Sequence, residues 1–467
     1  MSTPIPQPRG LPLLGNILDI NPNNTWWSLK TLAEKHGEIF QINVLGHKIV
    51  FVASAALADE ICDEKRFRKY VGGPIVEIRA LSNDGLFSAY DHEEAWGVAH
   101  RIIAPMLSPD SVAALFADLA STTDELIAKW SALPATSNTV APFEQLTRLT
   151  LEATTLSFFG KKLNSLDGPP HPVLQAMEDT TSECMKRPSR PKLLTALLYN
   201  SKWKRAIKIQ RDWAADILAF RAANPPSPDR HDLLWALQHG VDPVSKATLS
   251  DSQVIDEIIT MPIGTSTAPC ALAAMLVFLA QNPAALTRAR AELDAVVGPD
   301  HTALTHAHVA AQLPYVEAVV RETLRLSCAA PGFNIEPVPR KDETDTSPVL
   351  LGGGKYAIAH NQAMIIVLHG VNRDPAVFDE PLEFRPERML GEAFEKLPAG
   401  VKKWFGNGKR ACIGRHWAWE FLVIVAAKII MAVDWELVDG GYQMKQDGWF
   451  NVRPVALKIK VKTRARE

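Results

Sequence analysis

The run WFGNGKRACIGRHWAWEF, residues 404–421, concentrates chemistry in one short loop. Glycines at 406, 408 and 414 let the backbone pass close to a flat ligand in conformations that side chains forbid. Asn407 tolerates such conformations too. Cys412 stands just ahead of a long apolar helical pattern. There the helix dipole and the unpaired N–H groups of a first turn favour a thiolate. Such a thiolate ligates a metal or acts as a nucleophile. Lys409 and Arg410 beside it suit a ligand that carries carboxylates. The plain alternative for a lone cysteine is a buried structural residue near a turn. Nucleophilic catalysis needs a histidine, and His416 is a weak candidate. Two further pairs have helical spacing: Glu322 and Arg325 at i, i+3 in EAVVRETLRL, and Trp96 and His100 one turn apart in DHEEAWGVAHRIIAPML. Read alone, the first is an ordinary ion pair, and the second is a half-buried aromatic beside a surface histidine.

Helices must position these groups. TWWSLKTLAEKHG begins the first clear one, and EIFQINVLGHKIVFVAS follows as two β-rich runs around the turn at Leu45-Gly46-His47. Helical patterns dominate from Ser54 to about Ala280. Short strands return in PVLLGGGKYAIA, AMIIVL and VALKIKVK. Residues 222–232, AANPPSPDRHD, are the most loop-like stretch in the middle, and no linker divides the chain convincingly. The expectation is one mainly α domain over 1–467 with small peripheral β-sheets. The 467 residues are 47% hydrophobic and 22% charged, as in globular proteins, and a net charge of −2 gives no reason to expect nucleic acid. Five scattered cysteines, an odd number, argue for a reducing compartment over a disulfide framework. The N-terminus shows neither a long apolar run nor a signal-peptide pattern. The chain therefore reads as cytoplasmic, with no membrane anchor.

FGNGKRACIGR resembles the haem-binding loop of the cytochrome P450 superfamily, F-x-x-G-x-R-x-C-x-G, with Phe405, Gly408, Arg410, Cys412 and Gly414 in register. Trp404 departs from it, since many relatives carry proline there. The resemblance implies the cytochrome P450 fold and a haem b whose iron is ligated axially by Cys412. It also implies that Arg410 pairs with a haem propionate. In that family Glu322 and Arg325 form the E-x-x-R helix, locked to Arg388 of FRPERM as a structural network. Trp96 and His100 match the family's W-x-x-x-R/H helix, which donates to the propionates.

The likeness runs from about residue 5 to 463 and is strongest to soluble bacterial and fungal fatty-acid hydroxylases fused to their own diflavin reductase. DGLFSAYDHEEAW, FEQLTRLTLEATTL and DLLWALQHGVDP carry it. It implies electrons from NADPH through FMN and FAD of a diflavin reductase, and O2 as a substrate. No reductase segment follows KTRARE. The expectation is a haem domain cut from a longer fusion, with a separate reductase as the alternative.

The match breaks in SDSQVIDEIITMPIGTSTAPCALAAMLVFLAQNP, the helix expected to cross the haem's distal face. The family carries [A/G]-G-x-[D/E]-T there, an acid and an alcohol that relay protons to the oxygen site. Here Gly264 keeps the glycine and Thr267 the alcohol, while Ser266 replaces the acid and Ile263 the small residue. Pro262 and Pro269 each remove a helix N–H, so a kink or local unwinding is expected. The resemblance also implies a pocket lined by Ile75, Ile78, Leu81, Phe87, Ile263, Thr267, Ala330 and Phe333, suited to a small apolar organic substrate. His47 and Phe51 stand where fatty-acid-binding relatives place an arginine and a tyrosine, with Lys48 on the opposite strand face. A fatty acid and a secondary metabolite are therefore equal candidates. Oxygen insertion is the leading expectation. A haem-thiolate isomerase or dehydratase that inserts no oxygen is the second, and a haem sensor or carrier the third.

Overall fold

The computed structural model describes residues 2–21, 23–44, 46–227, 230–448 and 450–465. The elements used below are, in chain order, α1 (Thr25–His36), β1 (Ile39–Val44), β2 (His47–Val52), β3 (Phe67–Lys69), α2 (Pro74–Ser82), α3 (Glu94–Ile103), α4 (Phe116–Ser131) and α5 (Pro142–Phe159). They continue with α6 (Pro172–Lys186), α7 (Lys192–Leu198), α8 (Asn200–Ala223), α9 (Asp251–Thr265), α10 (Ala268–Gln281) and α11 (Pro314–Leu326). The rest are β4 (Gly332–Pro337), β5 (Met364–Val367), α12 (Leu368–Val371) and α13 (Arg415–Ala432). The mainly helical expectation holds, and the strands expected near 349–358 and 459–463 are present. Where one domain was expected, the contacts group the chain into two compact units, each assembled from three segments.

The first unit comprises residues 1–70, 321–412 and 446–453. Its sheet runs β1-β2-β5-β4-β3. β1 and β2 are antiparallel from Ile39↔Val52 to Val44↔His47, with Leu45 of the expected turn outside the described residues. β5 lies parallel to β2 and antiparallel to β4. α1 buries Trp26, Leu29, Leu32 and Ala33 at helical spacing and stops at Gly37, whose φ of 83° lies in the left-handed region. That face packs on Phe40 and Phe51, whose rings stack 5.0 Å apart. Phe51 is thus committed to the core.

The second unit comprises residues 71–320, 413–445 and 454–467 and is mainly helical, with one small three-stranded sheet. α13 is apolar on all sides and buried from Glu420 to Ala432. Trp417 on it donates to Ser157 of α5 at 3.1 Å. Its one deep cation, Lys428, is 1% exposed and pairs with Asp124 of α4 at 2.7 Å. α9 starts at the expected capping box of Ser250 and Gln253. Residues 251–281 are long and apolar enough to span a membrane on composition, but 72% of that window is buried inside the protein. They are read here as core.

Candidate functional site

The cysteine loop belongs to the first unit and is held by its own backbone. Gly406 N–H donates to Lys403 O, Ala411 N–H to Gly408 O, and Cys412 N–H to Phe405 O at 2.7 Å. Gly406 and Gly408 have φ of 78° and 60°, a region that glycine adopts without strain. A second strut comes from the turn after residue 60. Asn407 Nδ2 donates to Cys62 O at 2.6 Å, and the Lys409 amide donates to Glu64 Oε1 at 2.8 Å. A Cβ on Gly408 would lie 2.0 Å from the Glu64 carboxyl carbon, so a side chain there would push that exposed carboxylate off the Lys409 amide.

Cys412 is the one exposed cysteine of the five; Cys62, Cys184, Cys270 and Cys328 are all buried. The reading of Cys412 as a buried structural residue is therefore set aside. Burial pushes the Cys62 thiol up to about 11 and those of Cys184 and Cys328 to about 12. These three stay protonated thiols at neutral pH, poor ligands and poor nucleophiles. An accessible thiol on a glycine-bared loop, with half-buried Phe405 and Arg410 beside it, fits a flat carboxylated macrocycle with a thiolate-held metal.

The expected network behind the loop is present. Arg325 donates to both carboxylate oxygens of Glu322, at 2.7 and 2.8 Å, and both side chains are fully buried. Its other donors reach the carbonyls of Asn372, Pro381 and Glu383. Arg388 approaches Glu322 at 3.3 Å, and the Arg385 amide donates to the same oxygen. Of the expected pocket residues in this unit, Ala330 is exposed and Phe333 is half-buried on β4. His47 and Lys48 are exposed at the start of β2.

In the second unit, Trp96 and His100 lie on α3 with ring centroids 5.0 Å apart at 32°, and both are half-buried. The distal helix is broken as expected, but not at Pro262. α9 runs through that proline to Thr265, the chain unwinds over Ser266 and Thr267, and α10 begins at Ala268. Pro269 sits in the first turn of α10, where its missing N–H costs nothing, and its ring disfavours helix across the preceding residues. Each hydroxyl of the break folds back onto a carbonyl. Ser266 Oγ donates to Ile263 O at 2.7 Å, and Thr267 Oγ1 to Gly264 O at 3.1 Å. Thr154 of α5 donates to Thr265 at 2.9 Å, tying the break to its neighbour. Ile78, Leu81 and Ile263 are closed from solvent at 2%, 1% and 5%, while Ile75 and Phe87 are half-exposed.

Sequence reasoning missed two acids on α9. Asp256 takes both oxygens to Asn83 Nδ2, at 3.1 and 2.9 Å, and receives Arg211 at 2.8 Å. Glu257, 1% exposed, accepts the Leu86 amide at 2.8 Å. Together they staple the segment that leads into Phe87. The available signal was two adjacent carboxylates flanked by Val254, Ile255, Ile258 and Ile259. Burial first, then the charges of Asp256 and Asp84, push the Glu257 carboxyl up to about 8. A raised carboxyl pKa favours the folded state at low pH and loses that advantage as pH climbs from the unfolded value near 4.5 to about 8. Glu257→Gln should therefore raise the melting temperature more at pH 8 than at pH 5. An equal shift at both would place the titrating group elsewhere.

The cytochrome P450 family model matches residues 5–461. The chain belongs to the cytochrome P450 family. It is 35% identical over 460 residues to a bifunctional cytochrome P450/NADPH–P450 reductase from Acremonium egyptiacum, covering 97% of this chain and 43% of that protein. A self-sufficient cytochrome P450 monooxygenase from Aspergillus niger is 37% identical over 462 residues, covering 98% and 43%. Another from Phanerodontia chrysosporium is 34% identical over 459 residues, covering 97% and 42%. This P450 chain thus spans less than half the length of the curated relatives it matches. Haem is the cofactor of this family.

Proposed function

We propose that the chain is a cytoplasmic haem-thiolate monooxygenase unit that inserts one oxygen atom from O2 into a small apolar organic substrate. The observation that carries this reading is Cys412, the one accessible thiol, on a loop whose glycines leave room for a macrocycle. Bound haem would supply the redox chemistry that activates oxygen. Cys412 would hold the iron, Arg410, Trp96 and His100 the propionates, and Phe405 would shield the sulfur from water. A charge-assisted bond to a propionate is worth about 1.5–3 kcal/mol where water is excluded. Electrons would come from NADPH through a reductase, as the fused relative's name supports, with FMN and FAD as the carriers within it. Thr267 and Ser266 would carry protons, since the broken helix turn places two hydroxyls in succession. The apolar side chains of Ile75, Phe87, Ile263, Ala330 and Phe333 suit the hydrocarbon part of a fatty acid or an apolar secondary metabolite.

A second reading, an isomerase or dehydratase that inserts no oxygen, draws on the loss of the relay acid at Ser266. Turnover under 18O2 with a matched diflavin reductase separates the two: label in the product supports insertion, and conversion without O2 supports the alternative. Restoring the acid with Ser266→Glu should at least double product formed per NADPH and lower peroxide release. Unchanged coupling together with oxygen-independent turnover would transfer the chain to the second class.

A further inference from the structure

One face of α9 runs from sealed to open. Glu257, Thr260 and Gly264 share it through their i, i+3, i+7 spacing. Glu257 is 1% exposed and Thr260 half-buried, whereas Gly264 is exposed and a Cβ there would meet nothing within 4 Å. The segment 83–87 covers the sealed end. Asp256 holds the Asn83 side chain, Glu257 Oε1 holds the Leu86 amide, and a Cβ on Gly85 would come within 3.3 Å of Thr260 Oγ1. Phe87, of the expected pocket lining, follows directly. The stripe that is open at Gly264 therefore ends, under this segment, at a carboxyl group.

That carboxyl has one oxygen to spare. Oε1 accepts the Leu86 N–H at 2.8 Å, while Oε2 is buried with no hydrogen-bond partner among the described residues. A buried polar atom left unpaired is costly. The charged groups that bear on it are Asp256 on its own helix and Asp84 on the covering segment, and Arg211 of α8 pairs with Asp256. Burial and these like charges keep the carboxyl neutral at pH 7, so its free oxygen has a proton to donate. We propose that Glu257 is a specificity-determining residue whose Oε2 donates to an uncharged acceptor oxygen, a carbonyl or an ether, of an otherwise apolar substrate. This rests on the monooxygenase reading above and narrows its substrate class. Seven residues of helix separate Glu257 from Gly264, about 10 Å, and the acceptor oxygen and the oxidised carbon should be about as far apart. A plain hydrocarbon would leave the donor unpaired. A carboxylate would meet Asp256 and Asp84.

Optical titration of the haem-loaded ferric chain at pH 7 with 2-decanone and with 2-methyldecane, its hydrocarbon isostere, tests it. Both should move the Soret band toward the high-spin position. The ketone should bind about fivefold more tightly, as one neutral hydrogen bond allows. Glu257→Gln keeps a donor and should keep the preference, whereas Glu257→Leu should bring the two Kd values together. The unmodified chain gives a second reading that does not depend on how a variant folds. Its ketone preference should fall away between pH 7 and pH 9, as the carboxyl loses its proton near pH 8, while the Kd for the hydrocarbon stays constant. Equal Kd values in the unmodified chain at pH 7, the result if a fixed water answers Oε2, would overturn the proposal. So would a preference that survives Glu257→Leu or is unchanged at pH 9. Each of these leaves oxygen insertion standing, because that reading is decided by label from 18O2. A spin shift with neither probe would overturn the apolar pocket and this proposal together.

Discussion

Replacing Cys412 with alanine should abolish the red-shifted Soret band of the reduced, CO-bound protein, while Cys62→Ala, Cys184→Ala and Cys328→Ala should leave it intact. The contrast follows from exposure. The three comparison thiols are buried and pushed upward by desolvation to about 11 or 12, so none presents a thiolate at neutral pH. Cys412 is exposed, on a loop fixed by Phe405 O and by Glu64. A Cys412→Ala protein that kept the band would remove this residue from the iron. The loop's struts make a graded corollary: Glu64→Ala should raise the fraction of protein showing the unshifted band, because Lys409 loses its acceptor.

The second large effect falls on stability. Arg325→Ala should cost about 3–5 kcal/mol, since it leaves the Glu322 carboxylate buried without its bidentate partner. Glu322→Ala should cost about as much, by stranding the guanidinium against three carbonyls that cannot neutralise it. Arg388→Ala should cost clearly less, because that side chain is 15% exposed and meets Glu322 at 3.3 Å, longer than either Arg325 bond. Urea unfolding read by tryptophan fluorescence gives the three values. Losses under 1 kcal/mol for Arg325→Ala would mean that the pair is relaxed by water in solution.

Much of the fold was legible because its signals are local. α1 follows from apolar spacing and Gly37, the first hairpin from two β-rich runs, and the start of α9 from Ser250 and Gln253. The break in the distal helix was legible from its prolines, but its place was not. Pro262 is carried inside α9, and the unwinding falls four residues on, where Pro269 disfavours helix before it. Sequence also could not see Asp256 and Glu257 gripping the Asn83–Leu86 segment, since the partners are over 170 residues apart.

By itself, the sequence determined the family motif, the thiol that would ligate a metal, the E-x-x-R pair and the loss of the relay acid. Each of these is a matter of residue type at fixed spacing along the chain. Only the tertiary structure decided which cysteines are shut away from ionisation, that Phe51 stacks in the core, and that Glu257 stays protonated up to about pH 8. It also decided that α7 turns its leucines outward. Burial sets each of these, and burial belongs to the packing of segments distant in sequence, so no local pattern encodes it.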